Sequence, residues 1–391
     1  MITELELSIQ APNTEIIQPL LDEFEAKLHV HVNLRLLSWD TAWSDLVKVA
    51  LYGDGPDISE VGSTWLGDLI AMNALHAFTS DEINQIGKSS NFLPAAWRGC
   101  RLGDQPEVWA IPWLVGARLV FYRRSLLRQA GLDEANAFQT AGQFDRTLHQ
   151  LQASSCPVPW SVPTGRTHTT LLNVASWVWA AGGDFISADG KHTLFSTPEA
   201  RAGLCNYFAL GRYIAPAVQH LTALQPDTQF LTQDGTAVTI SGPWLFDLAS
   251  AALHADLGVA LPPGAPFLGG SHLVVWKHSH KQESAIKLLR FFTQTQAQST
   301  YSRRIGLLPA TLDALAGVPA DRLWQAAVQG VKTGRTVPVT RSWGLMEDRL
   351  STEFAVLWQE FSDDPKLDLN AALARRLEPL AKRLDTILAQ A

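Results

Sequence analysis

The feature that most constrains the fold is a repeated switch of hydrophobic period near the start of the chain. Residues 4–9 alternate apolar and polar side chains, with Leu5, Leu7 and Ile9 in phase, as a strand with one buried face does. Pro12-Asn13-Thr14 then opens a helix that runs to Leu28 and lines up Ile16, Ile17, Leu20, Leu21 and Phe24 on one side. Alternation returns over 29–37 and a helical pattern over 41–52. Gly53-Asp54-Gly55-Pro56 is a turn, 57–61 is a short third strand, and another helix begins at Asp68. Strand, helix, strand, helix, strand specifies an α/β fold, with a mainly parallel sheet covered on both faces.

The same reading continues downstream. Residues 108–113 are extended, 119–122 form a buried strand, and the helix over 124–131 closes at Gly131. Helices follow over 144–153, 171–181 and 198–213, the last with Thr197 as N-cap and Pro198 at its first position. A strand over 237–240 runs into Ser241-Gly242-Pro243-Trp244. Strands over 257–260 and 273–276 precede helices over 282–296 and 367–388. Arg375, Arg376, Lys382 and Arg383 on the final helix read as a solvated face.

At 391 residues the chain exceeds what one hydrophobic core supports, so two lobes are expected. A formal charge of −7 without a basic stripe argues against nucleic acid or an anionic membrane as the partner. No apolar run approaches the roughly 20 residues that span a bilayer. The first ten residues carry neither a basic n-region nor an apolar h-region. Such a chain either stays in the cytoplasm or reaches an outer compartment after a leader has been removed. Cys100, Cys156 and Cys205 are widely spaced without a CxxC pair, which argues against a zinc site or disulfide framework and leaves room for one bridge.

Tryptophan is unusually frequent, 14 against 5 tyrosines. Its flat apolar face and single N–H suit the C–H face of a sugar ring. Most of these residues read as core. Those in loops rich in Gly, Pro and Ser read as candidates for a ligand.

Several segments, in order, resemble the extracellular sugar-binding proteins of ABC transporters, the family that includes maltose-binding protein. Gly53-Asp54-Gly55-Pro56-Asp57-Ile58 is similar to its turn into the third strand. Ile111-Pro112-Trp113, Leu119-Val120-Phe121-Tyr122 and Ala130-Gly131-Leu132 match its crossover stretch. Gly182-Gly183-Asp184, Asp189-Gly190-Lys191 and Thr197-Pro198-Glu199-Ala200 follow, then Ile240-Ser241-Gly242-Pro243-Trp244, Leu268-Gly269-Gly270 and the stretch from Tyr301 to Pro309. The family's Tyr-Asn-Lys is here Tyr122-Arg123-Arg124, a departure that leaves the fold intact. The resemblance implies a two-lobed periplasmic-binding-protein fold with a ligand cleft between lobes and hinge closure. It implies three crossover segments, near 115–118, 262–267 and 308–312. The N-terminal lobe would then be 1–115 plus 267–310, and the C-terminal lobe 116–266 plus 311–391. It further implies a periplasmic or extracellular monomer that takes a mono- or oligosaccharide, needs no cofactor or metal, and delivers its cargo to a membrane ABC permease.

Loops at the C-terminal ends of strands face the ligand in α/β folds. They nominate Asn13, Trp39, Asp40, Ser63, Trp65, Trp113, Trp244, Gly269, Gly270 and His272. The resemblance adds Trp343, and Arg341 and Glu347 lie beside it. Trp244, after a strand and a Gly-Pro, is the leading stacking candidate. Asp40 suits two vicinal hydroxyls, or equally the N-cap of the helix it precedes. Trp343 is either a stacking residue or a core anchor. Arg341 suits hydroxyls or an acidic sugar, or a surface ion pair. The two glycines admit backbone amides to a ligand or merely turn. His272 reads first as a structural histidine, and Glu347 as a candidate or an ordinary first-turn acid.

An enzyme is not expected. A glycoside hydrolase needs two carboxylates about 5–9.5 Å apart across one bond, and Glu60, Asp184 and Asp189 each have a structural reading. The chain has no G-x-S-x-G, H-E-x-x-H, P-loop or G-x-G-x-x-G. The remaining alternatives are a phosphorylated polyol or other polar metabolite as cargo, which the scarcity of basic residues in these loops disfavours, and the hydrolase itself.

Overall fold

The structure, a computed structural model, describes residues 3–233 and 235–389. The strands are β1 (Thr3–Ile9), β2 (Val30–Leu36), β3 (Ile58–Gly62), β4 (Ile111–Ala117), β5 (Leu119–Arg123), β6 (Val158–Ser161), β7 (Thr236–Ser241), β8 (Leu257–Ala260), β9 (Leu268–Val275) and β10 (Leu308–Pro309). They form two sheets in two compact units. The first unit runs to Gly116 and adds Leu268–Pro319 and Pro338–Gly344. The second is Ala117–Phe267, Ala320–Val337 and the chain from Leu345.

This partition corrects the expected lobes. Residues 308–309 do not carry the chain across. They are β10, antiparallel to β4 through Leu308↔Val115, which keeps the chain in the first unit to Pro319. Residues 338–344 belong to the first unit too: the Gly103 N–H donates to Val339 O at 3.1 Å. The chain therefore changes unit after 116, 267, 319, 337 and 344, not three times.

In the first unit the strand order is β10-β4-β9-β3-β1-β2. β1 lies parallel to β2 (Leu7↔Leu34) and to β3 (Leu7↔Ile58), as the alternating pattern predicts. β9 pairs antiparallel to β3 (Gly62↔Ser271), so the sheet is mixed. A strand that arrives from the other unit is not bound by the helical crossover that makes neighbouring strands parallel. The second sheet has the order β6-β7-β5-β8, with β6 parallel to β7 and β5 antiparallel to both β7 and β8. Each sheet has one edge where strand C-termini gather. In the first unit that edge carries Gln10, Ser38, Ser63 and the start of β9. In the second, Leu119↔Ser241 sets the start of β5 beside the end of β7, so Arg118 and Gly242 share it.

Local chemistry moves several helix boundaries. The first helix is Gln18–Leu28, preceded by a 3-10 turn at Thr14–Ile16, and it buries Leu20, Leu21 and Phe24. The second starts at Trp39, because the Ser38 hydroxyl accepts the Asp40 N–H and caps it. Thr197 does cap Pro198–Phe208, through the Ala200 N–H at 3.3 Å, and a 3-10 turn completes the stretch to Tyr213. The expected helix over 282–296 is two, Gln282–Phe292 and Thr295–Arg304. On the last helix, Leu369–Leu388, Arg375 and Arg376 pair with Glu360, and Arg376 also with Glu353. Half of that basic face is thus a contact with the preceding helix. All three cysteines are free thiols.

Candidate functional site

The second unit's strand-end edge holds a polar cluster around Trp244. The indole Nε1–H donates to Asp227 Oδ2 at 2.8 Å, and the Ser241 hydroxyl donates to the same oxygen at 2.7 Å. The ring folds back over Gly242: a Cβ built there would lie 1.9 Å from Trp244 Cζ3, so only glycine fits. The Arg118 guanidinium carbon sits 5.6 Å from the centre of the ring, within cation–π range. Arg118 itself donates through Nε to Asn173 Oδ1 at 2.9 Å and through Nη2 to Ile240 O at 3.0 Å. Arg118 and Asp227 are both buried, and Trp244 is half-buried. Burial raises the Asp227 carboxyl above its ordinary range and lowers Arg118, each partly opposed by the other's charge. The unit therefore presents a partly open indole whose polar edge is already engaged.

The first unit's edge presents a group of tryptophans. Trp39 opens the helix Trp39–Tyr52, and Trp43 stands one turn on. Trp65 follows β3. Its ring lies 5.6 Å from Trp39 and 5.7 Å from Trp43, tilted against both. Trp39 is 48% exposed, an unusual state for so large an apolar side chain, and Asp40 beside it is open to solvent. Just behind lies Glu60, fully buried. Its Oε2 accepts the Gln10 N–H at 2.7 Å, and the Gln10 side-chain amide donates to Glu60 O at 3.3 Å. Burial pushes the Glu60 carboxyl up to about 7, against the pull of the Ser271 hydroxyl and the Gln10 N–H.

The structure brings some of the nominated residues together and removes others. Trp39, Asp40, Ser63 and Trp65 gather at one edge, and the Ser63 N–H donates to Gly270 O at 3.0 Å. Asn13 is exposed ahead of the first 3-10 turn and Arg341 is exposed at its loop. Asp40 is a first-turn acid, since Ser38 is the cap. Trp113 is corrected to core: it is 1% exposed and stacks on Tyr301 at 4.6 Å and Phe292 at 5.5 Å. Trp343 is likewise buried, at the start of the helix Trp343–Asp363. His272 is buried on β9, where desolvation lowers its pKa to about 4 and keeps the ring neutral. Gly269 and Gly270 lie on β9, not in a loop. Glu347 is half-buried in the second unit. Trp177 is core, while Trp179, two residues on along the same helix, donates to Asp184 Oδ1 at 3.1 Å. Sequence reasoning missed Asp227, Asn173 and Trp43, and took Arg118 only as part of a crossing. Among the described residues, no group of three His, Cys, Asp or Glu is placed to hold a metal ion.

Residues 20–332 match the model of a family described as bacterial extracellular solute-binding protein. The chain belongs to that family. A relative of this solute-binding protein is the diacetylchitobiose binding protein DasA of Streptomyces coelicolor, 23% identical over 344 residues, 84% of this chain and 78% of DasA. Among solved structures it is similar to an ABC transporter solute-binding protein of Thermotoga lettingae bound with α-D-tagatose (TM-score 0.84, 22% identity, 99% of this chain and 100% of that one). It is also similar to the sugar-binding protein MalE of Xanthomonas citri (TM-score 0.82, 21% identity, 99% and 98%). The fold is thus the two-lobed α/β fold of MalE-like binding proteins. No described helix is long and apolar enough to cross a membrane.

Proposed function

We propose that this solute-binding protein binds a mono- or oligosaccharide outside the cytoplasm, without turnover, and hands it as a monomer to a membrane ABC permease. The observation that carries the reading is Trp244, a half-buried ring at a strand-end edge with its N–H bonded to Asp227 and carbon surface left over. Such a surface suits the C–H face of a pyranose. The exposed Trp39 beside Trp65 offers a second surface of the same kind on the first unit. The names of the relatives, which refer to diacetylchitobiose, tagatose and sugars, support the same class. The proposal includes closure around the cargo, read as a fall in the radius of gyration when sugar is added.

Titration calorimetry with tagatose, maltose, diacetylchitobiose and a sugar phosphate tests this. At least one neutral sugar is expected to bind, with no hydrolysis product by chromatography. Trp244→Ala is expected to weaken that binding by about 1–3 kcal/mol, the scale of an aromatic stacking contact. Release of product would overturn the non-catalytic reading, and binding of the phosphate alone would overturn the neutral sugar. An unchanged dissociation constant in Trp244→Ala would remove that residue from the site.

A further inference from the structure

Trp244 has an N–H that a sugar hydroxyl would readily accept, yet the protein has taken it. The acceptor is a buried carboxylate oxygen at 2.8 Å, from the helix Gln225–Thr232. The same oxygen takes the Ser241 hydroxyl, so two donors fix its place. Gly242 supplies the bed: any side chain there would occupy the space of the six-membered ring. Arg118, anchored to Asn173 and Ile240 O, stands beside the ring and offsets the charge of Asp227. Three constraints on one indole are more than packing needs, since an indole N–H on a half-open ring can be satisfied by water.

We infer that Asp227 is the positioning residue of the stacking surface: it holds Trp244 by its N–H edge over Gly242, so that the indole offers a ligand carbon surface and no hydrogen bond. This rests on the saccharide reading above. It has a consequence for specificity. Trp244 accepts the apolar face of a pyranose and does not read its hydroxyls, so hydroxyl discrimination falls to other groups. A rigid platform also avoids the ordering cost of a side chain that settles only on binding.

The test joins a spectroscopic reading to a mutant cycle. In protein labelled with 15N-indole, the Trp244 Nε1–H peak is assigned by its loss in Trp244→Phe. It is expected downfield and slow to exchange. Asp227→Ala should move it upfield and speed its exchange. Asp227→Asn keeps an acceptor and should hold it near the wild-type position. Maltose or diacetylchitobiose, whichever binds by calorimetry, should leave the peak on its Asp227-bonded position. Asp227→Ala and Gly242→Ala are each expected to weaken that sugar roughly tenfold, and by less than about twofold in a Trp244→Ala background, with Asp227→Asn restoring most of the loss. If Asp227→Ala does not fold, Asp227→Asn and Gly242→Ala carry the cycle. A peak unmoved by loss of the carboxylate, a peak that the sugar moves to its Asp227→Ala position, or penalties that persist without Trp244 would overturn the inference. If neither maltose nor diacetylchitobiose binds, the cycle is run with tagatose; if none of the three sugars binds, the saccharide reading fails, and the exchange data still decide whether Asp227 holds the ring.

Discussion

Gly270→Ala is expected to destabilise the first unit by about 2–5 kcal/mol, the sum of a backbone conformation that only glycine adopts readily and of overpacking between two neighbouring strands. Gly270 has φ of 141°, and a Cβ built on it would lie 2.1 Å from Leu114 O. That carbonyl is backbone of β4, the neighbour of β9, so the clash is relieved only by parting two strands. The Gly270 carbonyl also holds the Ser63 N–H, which ties the β3 loop to the sheet. Urea unfolding measures the effect as a lowered midpoint at an unaltered slope. A midpoint equal to that of the wild type would mean that the strands separate at little cost, and the account of this glycine would be wrong.

The second large effect concerns pH. Glu60 titrates near 4.5 when unfolded and at about 7 when folded, because burial disfavours its charge. Between those values the folded chain keeps a proton that the unfolded chain has released. Its contribution to stability is therefore fully present below 4.5, declines as pH rises through 7, and levels off beyond, a total of about 3 kcal/mol. Glu60→Gln keeps an oxygen for the Gln10 N–H and needs no proton to stay neutral. At about pH 8 the variant is expected to be more stable than wild type by about 2–3 kcal/mol, and near pH 4.5 the two should nearly coincide. Denaturant midpoints across that range read the difference directly. A gap that stays constant from acid to alkaline pH would show that the carboxyl is not the group responsible.

How much of this was legible in the sequence depended on distance along the chain. The first three strands and their helices announce themselves by period, because each buries one face and period is a local property. Trp244 was visible because Ser241, Gly242 and Pro243 precede it directly. Its partners were not: Asp227 lies 17 residues back on a helix, and Arg118 is anchored 122 residues away, to Ile240. No local pattern marks a carboxylate as the acceptor for one particular indole. Trp113 and Trp343 misled for a related reason. Proline and glycine beside a tryptophan look the same in a buried strand or helix start as in an open loop. The third crossing was misplaced because β10 is only two residues, Leu308–Pro309, too short to show a period.

The position of β9 in the first sheet bears on how the protein is made. It lies between β4 and β3, yet it is drawn from residues 268–275, long after both. As the chain emerges from the ribosome, β3 and β4 have unpaired edges for the whole time residues 117–267 are being synthesised. Fragments that stop before Leu268 are accordingly expected to associate through those edges instead of folding.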